Sequence, residues 1–306
     1  MTYKFTFSTN NNTMTGKYYL TVIILLIFVL FGVYPAGRKA DRETLNLEEY
    51  FSPEEMDFIK ANGIKSRDLE PYLKYQKFNV FKYYQYREAR EKYNFSYLES
   101  LNYVNNPNYY RFYHNPQKAL FAGAPHILVN KCYFLSKDYE PEGLVNARDY
   151  EIDYIVREGE EIYLKKEVLD SYQKMYDAAK AAGIELMIFS GYRDYEKQSV
   201  LYYQVYNQDD SISARPGFSE HQTGLALDIS RPGDGLTLLF EQSPSFAWLM
   251  ANGHKYGFIL RFPPGKESIT GYSYEPWHFR YVGAIAAEIR EKNLTLEEYI
   301  FSNMEI

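Results

Sequence analysis

Between residues 164 and 190 two hydrophobic periods follow one another. Leu164, Val168, Leu169, Tyr172, Met175, Tyr176 and Ala179 recur at intervals of three and four, which predicts an amphipathic helix stopped by Gly183. The short apolar run IELMIFS at 184–190 then predicts a buried strand, and Asp194 is placed to cap a helix reaching about Asn207. LALDIS (225–230), FILRF (258–262) and HFRYV (278–282) read as further strands, and Ser243-Pro244 opens a helix that closes near Gly257. Helices interleaved with short strands predict an α+β domain over residues 121–306.

The preceding stretch, 42–120, is rich in Tyr, Asn, Lys and Glu with helical punctuation and reads as a small helical region. Ser52-Pro53-Glu54-Glu55 marks a helix start and Gly63 its end; a second helix is expected over 72–93 and a third over 97–105, before Pro107. The Tyr and Phe stripe from Phe78 to Tyr86 has the look of a carbohydrate platform, but aromatics at helical spacing favour a core reading. A third possibility makes these helices an adhesion or regulatory module.

Residues 18–34 form an uncharged apolar run of seventeen, flanked by Lys17 and by Arg38-Lys39, with Tyr18, Tyr19 and Tyr34 near its ends. That length and those flanks predict a transmembrane anchor over 18–36, with residues 1–17 a short polar tail. A cleaved signal peptide is the alternative, although VYPAGRKA offers no small-x-small cleavage site because Tyr34 would occupy a small position. Basic residues follow the run (Arg38, Lys39, Arg42) as well as precede it (Lys4, Lys17), so charge leans weakly against an outside C-terminus.

Composition narrows the function classes. The formal net charge of −6 leaves no extended basic surface for phosphate contacts, so no nucleic-acid partner is expected. The lone cysteine, Cys132, excludes an intramolecular disulfide and cysteine-rich metal sites. Its apolar setting reads as core rather than nucleophile.

Any histidine-based site must be assembled from five residues, at 114, 126, 221, 254 and 278. Three polar clusters fall at predicted strand ends: SGYRDYEKQ (190–198), SEHQTGLALD (219–228) and EPWHFR (275–280). His221, Asp228 and His278 together offer two imidazoles and a carboxylate, a donor set that suits a catalytic Zn²⁺ with one position left open. Glu275 would then be the base beside the attacking water, and Arg193 a stabiliser of the developing oxyanion. Gly224 allows the backbone to turn between two ligands. Each residue also has a plainer reading: a hydrogen-bonded core histidine, a turn-capping Asp228, a surface Glu275, an Arg193 paired with Asp194 or Glu196. His254, near a helix C-terminus, and His114 and His126, outside the clusters, are given no role.

The spacing Ser219-x-His221-x-x-Gly224-x-Ala226-x-Asp228 with Glu275-x-x-His278 resembles the signature of the LAS group of zinc peptidases. PGFSEHQTGLALDI and PWHFRYVG look like its VanY-type D-alanyl-D-alanine carboxypeptidases, and the likeness extends over about 125–292. The resemblance implies a zinc peptidase domain with a small, mainly antiparallel sheet flanked by helices. It implies one Zn²⁺ on His221, Asp228 and His278, with Glu275 as base and Arg193 on the substrate carbonyl. Gln198 and Ser219 would hold the terminal D-Ala. It further implies a bacterial protein whose substrate is the peptidoglycan stem peptide, anchored in the cell membrane by a single pass with the domain facing the wall. An L,D-carboxypeptidase acting on tetrapeptide stems and a non-catalytic peptidoglycan-binding module are the alternatives; the presence of Glu275 weighs against the second.

Overall fold

In the computed structural model, which describes residues 45–106 and 111–304, helix α1 (Pro53–Ala61) starts where Ser52 and Glu55 close a reciprocal capping box. The tail 1–17 and the expected span 18–36 lie outside the described residues. Among the described residues, no helix is long and apolar enough to cross a membrane. Contacts group the chain from Phe51 onward into one compact unit, apart from residues up to Tyr50, where Asn46 caps a 3₁₀ turn, Leu47–Glu49.

The helix expected over 72–93 is broken, and only α2 (Tyr83–Tyr93) is α-helical. The Phe78 ring stacks on Tyr72 at 4.8 Å and 11°, a contact that residues six apart on one helix cannot make, so the chain turns between them. Asn79 then accepts a hydrogen bond from the Phe81 N–H and starts a new 3₁₀ turn. Helix α3 (Tyr97–Asn105) has the predicted limits and its own capping box at Ser96 and Glu99. Tyr72, Tyr83 and Tyr86 are buried, with Tyr97 edge-on to Tyr72, so these rings are a core. Phe81 and Tyr84 remain exposed.

Beyond a short parallel pairing of Gln117–Lys118 with Tyr133–Phe134, the chain forms a hairpin that the hydrophobic pattern does not announce, β1 (Leu144–Asn146) paired antiparallel with β2 (Tyr163–Lys165). Helix α4 (Lys166–Ala181) follows and buries Val168, Leu169, Tyr172, Met175, Tyr176 and Ala179, the positions spaced by three and four. Strand β3 (Met187–Ser190) leads to α5 (Tyr195–Val200), capped by Asp194. The expected continuation to Asn207 widens into a π-helical turn, Leu201–Val205, and ends at Asn207 and Gln208, both with positive φ. Strands β4 (Ala226–Ser230), β5 (Phe258–Leu260) and β6 (His278–Tyr281) complete an all-antiparallel sheet of order β3-β4-β6-β5. Helix α6 (Pro244–Asn252) precedes β5, and α7 (Ala286–Glu291) and α8 (Leu296–Asn303) close the described chain.

One face of the sheet is covered by α4. Ile188, Leu227, Ile229, Phe258 and Phe279 meet Leu169, Tyr172 and Met175 in the main core, and that leaves the other face for polar groups. A second core forms where Ala286 and Ile289 of α7 and Leu296, Ile300 and Phe301 of α8 meet Leu128 and Ile259. Helix α8 also packs against α3, and the Lys77 ammonium donates to the Met304 carbonyl, so the aromatic helices and the sheet share this joint.

Phe301 is 1% exposed at that joint. Phe301→Ala should therefore lower stability by about 3–5 kcal/mol, through lost transfer energy and the cavity left behind. Urea unfolding followed by circular dichroism should show one transition at a lower midpoint; a helical part that melts separately would contradict the shared joint.

Candidate metal centre and catalytic cleft

Strand alternation places the functional groups. Along β4, Leu227 and Ile229 point into the core, so Asp228 points to the opposite face; along β6, Phe279 points into the core, so His278 and Arg280 do not. The register sets Asp228 opposite His278 and Ala226 opposite Arg280. Directly opposed residues on one face are neighbours, so two strands bring a carboxylate and an imidazole together. His221 comes from the 3₁₀ turn Glu220–Thr223, which Gly224 ends at φ 67. A Cβ on Gly224 would lie 2.9 Å from Leu144 and 3.2 Å from Lys165, and the Gly224 carbonyl accepts the Lys165 N–H. The β1–β2 hairpin thus fixes where the turn meets β4.

The three side chains converge. His278 Nδ1 lies 3.3 Å, and His221 Nε2 3.6 Å, from Asp228 Oδ1. These separations are near the edge of a tetrahedron with metal–ligand bonds of about 2.0–2.2 Å. One ligand atom from each residue fits within 4.8 Å of the others, all three residues are buried, and the two rings stand at 89°. His221 Nδ1 lies 2.7 Å from the Gly191 carbonyl; a carbonyl only accepts, so Nδ1 carries the proton and Nε2 keeps its lone pair. Asp228 Oδ1 is buried with no hydrogen-bond partner among the described residues, although two ring nitrogens face it. An orphaned anionic oxygen between two imidazoles fits a cation, and the nitrogen and oxygen donors fit zinc.

Electrostatics separate the groups. Burial, with Arg193 nearby, lowers the His221 imidazole to about 4 despite Asp228. For His278 burial acts the same way, but the Asp228 and Glu220 carboxylates outweigh it and raise the group to about 9. Burial would raise Asp228, yet the two imidazoles hold its carboxyl well below the usual range. Glu275, its Oε2 3.5 Å from His278 Nδ1, is pushed up to about 7 by burial and by Asp228.

All seven residues singled out in the sequence line one cleft of about 560 Å³: His221, Asp228, His278, Glu275, Arg193, Gln198 and Ser219. Arg193 does not pair with Asp194, which caps α5, or with Glu196, which pairs with Lys137. Instead its Nη1 donates to Ser190 Oγ at 2.8 Å and its Nε to Gln198 Oε1 at 3.2 Å, with Asp228 3.8 Å away. Gln198 is 2% exposed, and its amide nitrogen donates to the Ala214 carbonyl and Ser213. Gln198 therefore orients Arg193 as well as lining the cleft. Ser219 is buried at the cleft wall and its side chain makes no capping bond to the turn. Trp277 also lines the cleft, whereas His254 lines a separate small cavity and His126 packs at a tilt against Phe121.

The motif's variable positions hide further groups. Glu220, between Ser219 and His221, is buried, and its Oε1 accepts from Arg261 and Arg280, each at 2.8 Å. Burial opposes a charge there, but Arg261 and Arg280 hold the carboxyl well below its ordinary range. Arg280 had a signal, since it lies two residues beyond His278 on one strand and so shares its face. Gly191, whose carbonyl orients His221, had none beyond its place after a strand.

A family model described as VanY, D-alanyl-D-alanine carboxypeptidase, matches residues 161–284, the stretch that holds all of these motifs. The bifunctional D-Ala-D-Ala dipeptidase and D-Ala-D-Ala carboxypeptidase VanXYC of Enterococcus gallinarum is 36% identical over 184 residues, covering 56% of this chain and 91% of that protein. The chain belongs to the VanY family. The putative carboxypeptidase YodJ of Bacillus subtilis (strain 168) is 45% identical over 180 residues, 56% of this chain and 65% of YodJ. The solved structure of the LdcB LD-carboxypeptidase is 42% identical with a TM-score of 0.53, covering 60% of this chain and 89% of that one. The chain spans about half to two thirds of the length of the first curated relatives it matches (65%, 56% and 52%). The α+β zinc peptidase fold of the VanY family is thus the fold of this chain.

A Cβ at Gly191 would stand 2.6 Å from the Tyr163 backbone oxygen, so the loop must shift to admit it. Gly191→Ala should cost about 1–3 kcal/mol through overpacking and should weaken metal binding by releasing His221 from its carbonyl acceptor. Urea midpoints and a metal titration on the same preparation test both effects; unchanged metal affinity would sink the proposed role of this carbonyl.

Proposed function

We propose that this chain is a zinc-dependent D-alanyl-D-alanine carboxypeptidase that removes the terminal D-Ala from peptidoglycan stem peptides. The observation that carries it is the convergence of His221, Asp228 and His278 on one point, with the Asp228 oxygen left unpartnered and Glu275 alongside. His221 Nε2, Asp228 Oδ1 and His278 Nδ1 would hold the ion. When bound, zinc supplies Lewis acidity that makes water a nucleophile near neutral pH and polarises a carbonyl.

Glu275, raised to about 7 by burial, suits a base at neutral pH: it takes the proton of the attacking water and passes it to the amine nitrogen as the C–N bond breaks. Arg193, held by Ser190 and Gln198, supplies a fixed cation for the developing oxyanion and costs no reorganisation during reaction. Ser219 and Gln198, on the cleft wall, would position the terminal D-Ala. D,D activity is favoured by the family description and by the D-Ala-D-Ala activities in the name of VanXYC. A second reading, an L,D-carboxypeptidase acting on tetrapeptide stems, is favoured by the likeness to the LdcB LD-carboxypeptidase.

We also propose a single-pass anchor over residues 18–36, with the domain facing the cell wall. The uncharged seventeen-residue run with its flanking tyrosines supports the span, and a wall substrate supports the orientation over the weak charge bias.

The purified full chain, incubated with pentapeptide and tetrapeptide stems, should release D-Ala from the pentapeptide. Chelator should abolish release and added zinc restore it. Glu275→Ala should lower the rate at least about a hundredfold, the lower range for a lost general base, while zinc content stays unchanged. Release from the tetrapeptide alone would move the assignment to L,D specificity; no zinc-dependent release from either would end the hydrolase reading.

A further inference from the structure

His278 presents Nδ1 to Asp228 and Glu275, so its Nε2 points away from the metal position. There it meets Glu220: Nε2 and Oε2 lie 3.7 Å apart, both buried, and neither has a hydrogen-bond partner among the described residues. The other oxygen of Glu220, Oε1, already accepts from Arg261 Nε and Arg280 Nη1, each at 2.8 Å. Both arginines are fully buried and held from behind. Arg280 Nη2 donates to the Pro125 and Ile127 carbonyls, each at 2.9 Å, and Arg261 makes a two-pronged pair with Glu297 of α8. Asn130 donates to the same Glu297 carboxylate at 3.1 Å. The Phe262 ring lies 4.7 Å from the His278 ring, which limits its rotation.

We propose that Glu220 is a positioning residue for the metal centre, accepting the Nε2–H of His278 so that Nδ1 keeps its lone pair for the ion. Carboxylates behind metal-bound histidines act in this way generally, fixing tautomer and ring orientation and raising ligand basicity. Two features make Glu220 suited to it. Its carboxylate is anchored through one oxygen by two cations that cannot give up their protons, so the second oxygen stays an acceptor. That oxygen and the ring nitrogen face each other with nothing else to satisfy either, and a closure of less than about 1 Å makes a normal hydrogen bond. His221 is served differently, by the Gly191 carbonyl, so the two histidine ligands have one neutral and one anionic support.

This inference rests on the zinc reading above. The test is zinc affinity of the full chain by competition with a chromophoric chelator, in wild type, Glu220→Gln, Glu220→Asp and Glu297→Gln. Glu220→Gln and Glu220→Asp should bind zinc about 10–100-fold more weakly. Glu297→Gln removes one carboxylate from the same arginine network without touching His278, and should destabilise the fold while keeping affinity within about threefold, the scatter expected of context. Each affinity is measured on protein shown to be folded by circular dichroism; if Glu220→Gln does not fold, the aspartate, which keeps the charge for both arginines, decides. In ¹⁵N–¹H spectra of the zinc-loaded wild type, His278 should be protonated at Nε2. Folded Glu220 variants with wild-type affinity, or an equal loss in Glu297→Gln, would overturn the proposal. A wild type that binds no zinc would instead overturn the zinc reading on which it stands.

Discussion

The antiparallel register that sets Asp228 opposite His278 is the constraint on which the rest of the centre depends. Because side chains alternate across a strand, a slip by one residue would send Asp228 and His278 into the core and bring Leu227, Ile229 and Phe279 to the cleft. The apolar side guards against that slip: those three residues are at most 1% exposed, packed on α4, and moving them to water would cost several kcal/mol. Burial of the hydrophobic face thus specifies the polar face. The metal ligands need no favourable interaction of their own to find one another in the fold.

That economy has a consequence for charge. The face opposite α4 carries Asp228, Glu220 and Glu297 together with Arg193, Arg261 and Arg280, nearly all out of water. Unpaired, each would cost several kcal/mol; paired, such groups contribute little net stability but demand one geometry. Here the pairs run in sequence from Glu297 to Arg261, to Glu220, and from Glu220 to both Arg280 and the His278 ring. Removing a member leaves its neighbour buried and unpaired, so the network favours one arrangement, and within it Glu220 is the member that faces the His278 ring. The geometry suits a site whose donors must stay within a fraction of an ångström of a metal's preferred positions.

Much of this was legible in the sequence, and for physical reasons. The period of α4, the cap at Asp194, the helix start at Ser52-Pro53 and the strands around Asp228 and His278 are local signals, and the structure shows elements there. The break inside 72–93 was not legible, because it is set by Phe78 stacking on Tyr72, a tertiary contact that overrides a good helical period. Glu220 was passed over for a related reason. It sits at a variable position of a motif, and only folding shows that it is buried and bonded to two arginines. Charged residues near a site look alike in one dimension; their partners distinguish them.

The helical region acquires meaning from the same partners. Helix α8 faces α3 and the aromatic core on one side and gives Glu297 to the arginine network on the other. Its N-terminus is fixed by Thr295 and Glu298 in a buried capping box, and Glu298 also takes Lys266 from the loop that follows β5. A short helix held at its cap, its flank and its buried face has little freedom to shift Glu297. The residues between Phe51 and Asn106 therefore add support to the wall from which Arg261 and Glu220 reach His278, through contacts that end one carboxylate away from a metal ligand. The aromatic stripe thus bears on the cleft through packing: Tyr72 and Tyr86 anchor α3, α3 seats α8, and α8 closes the charged network behind His278.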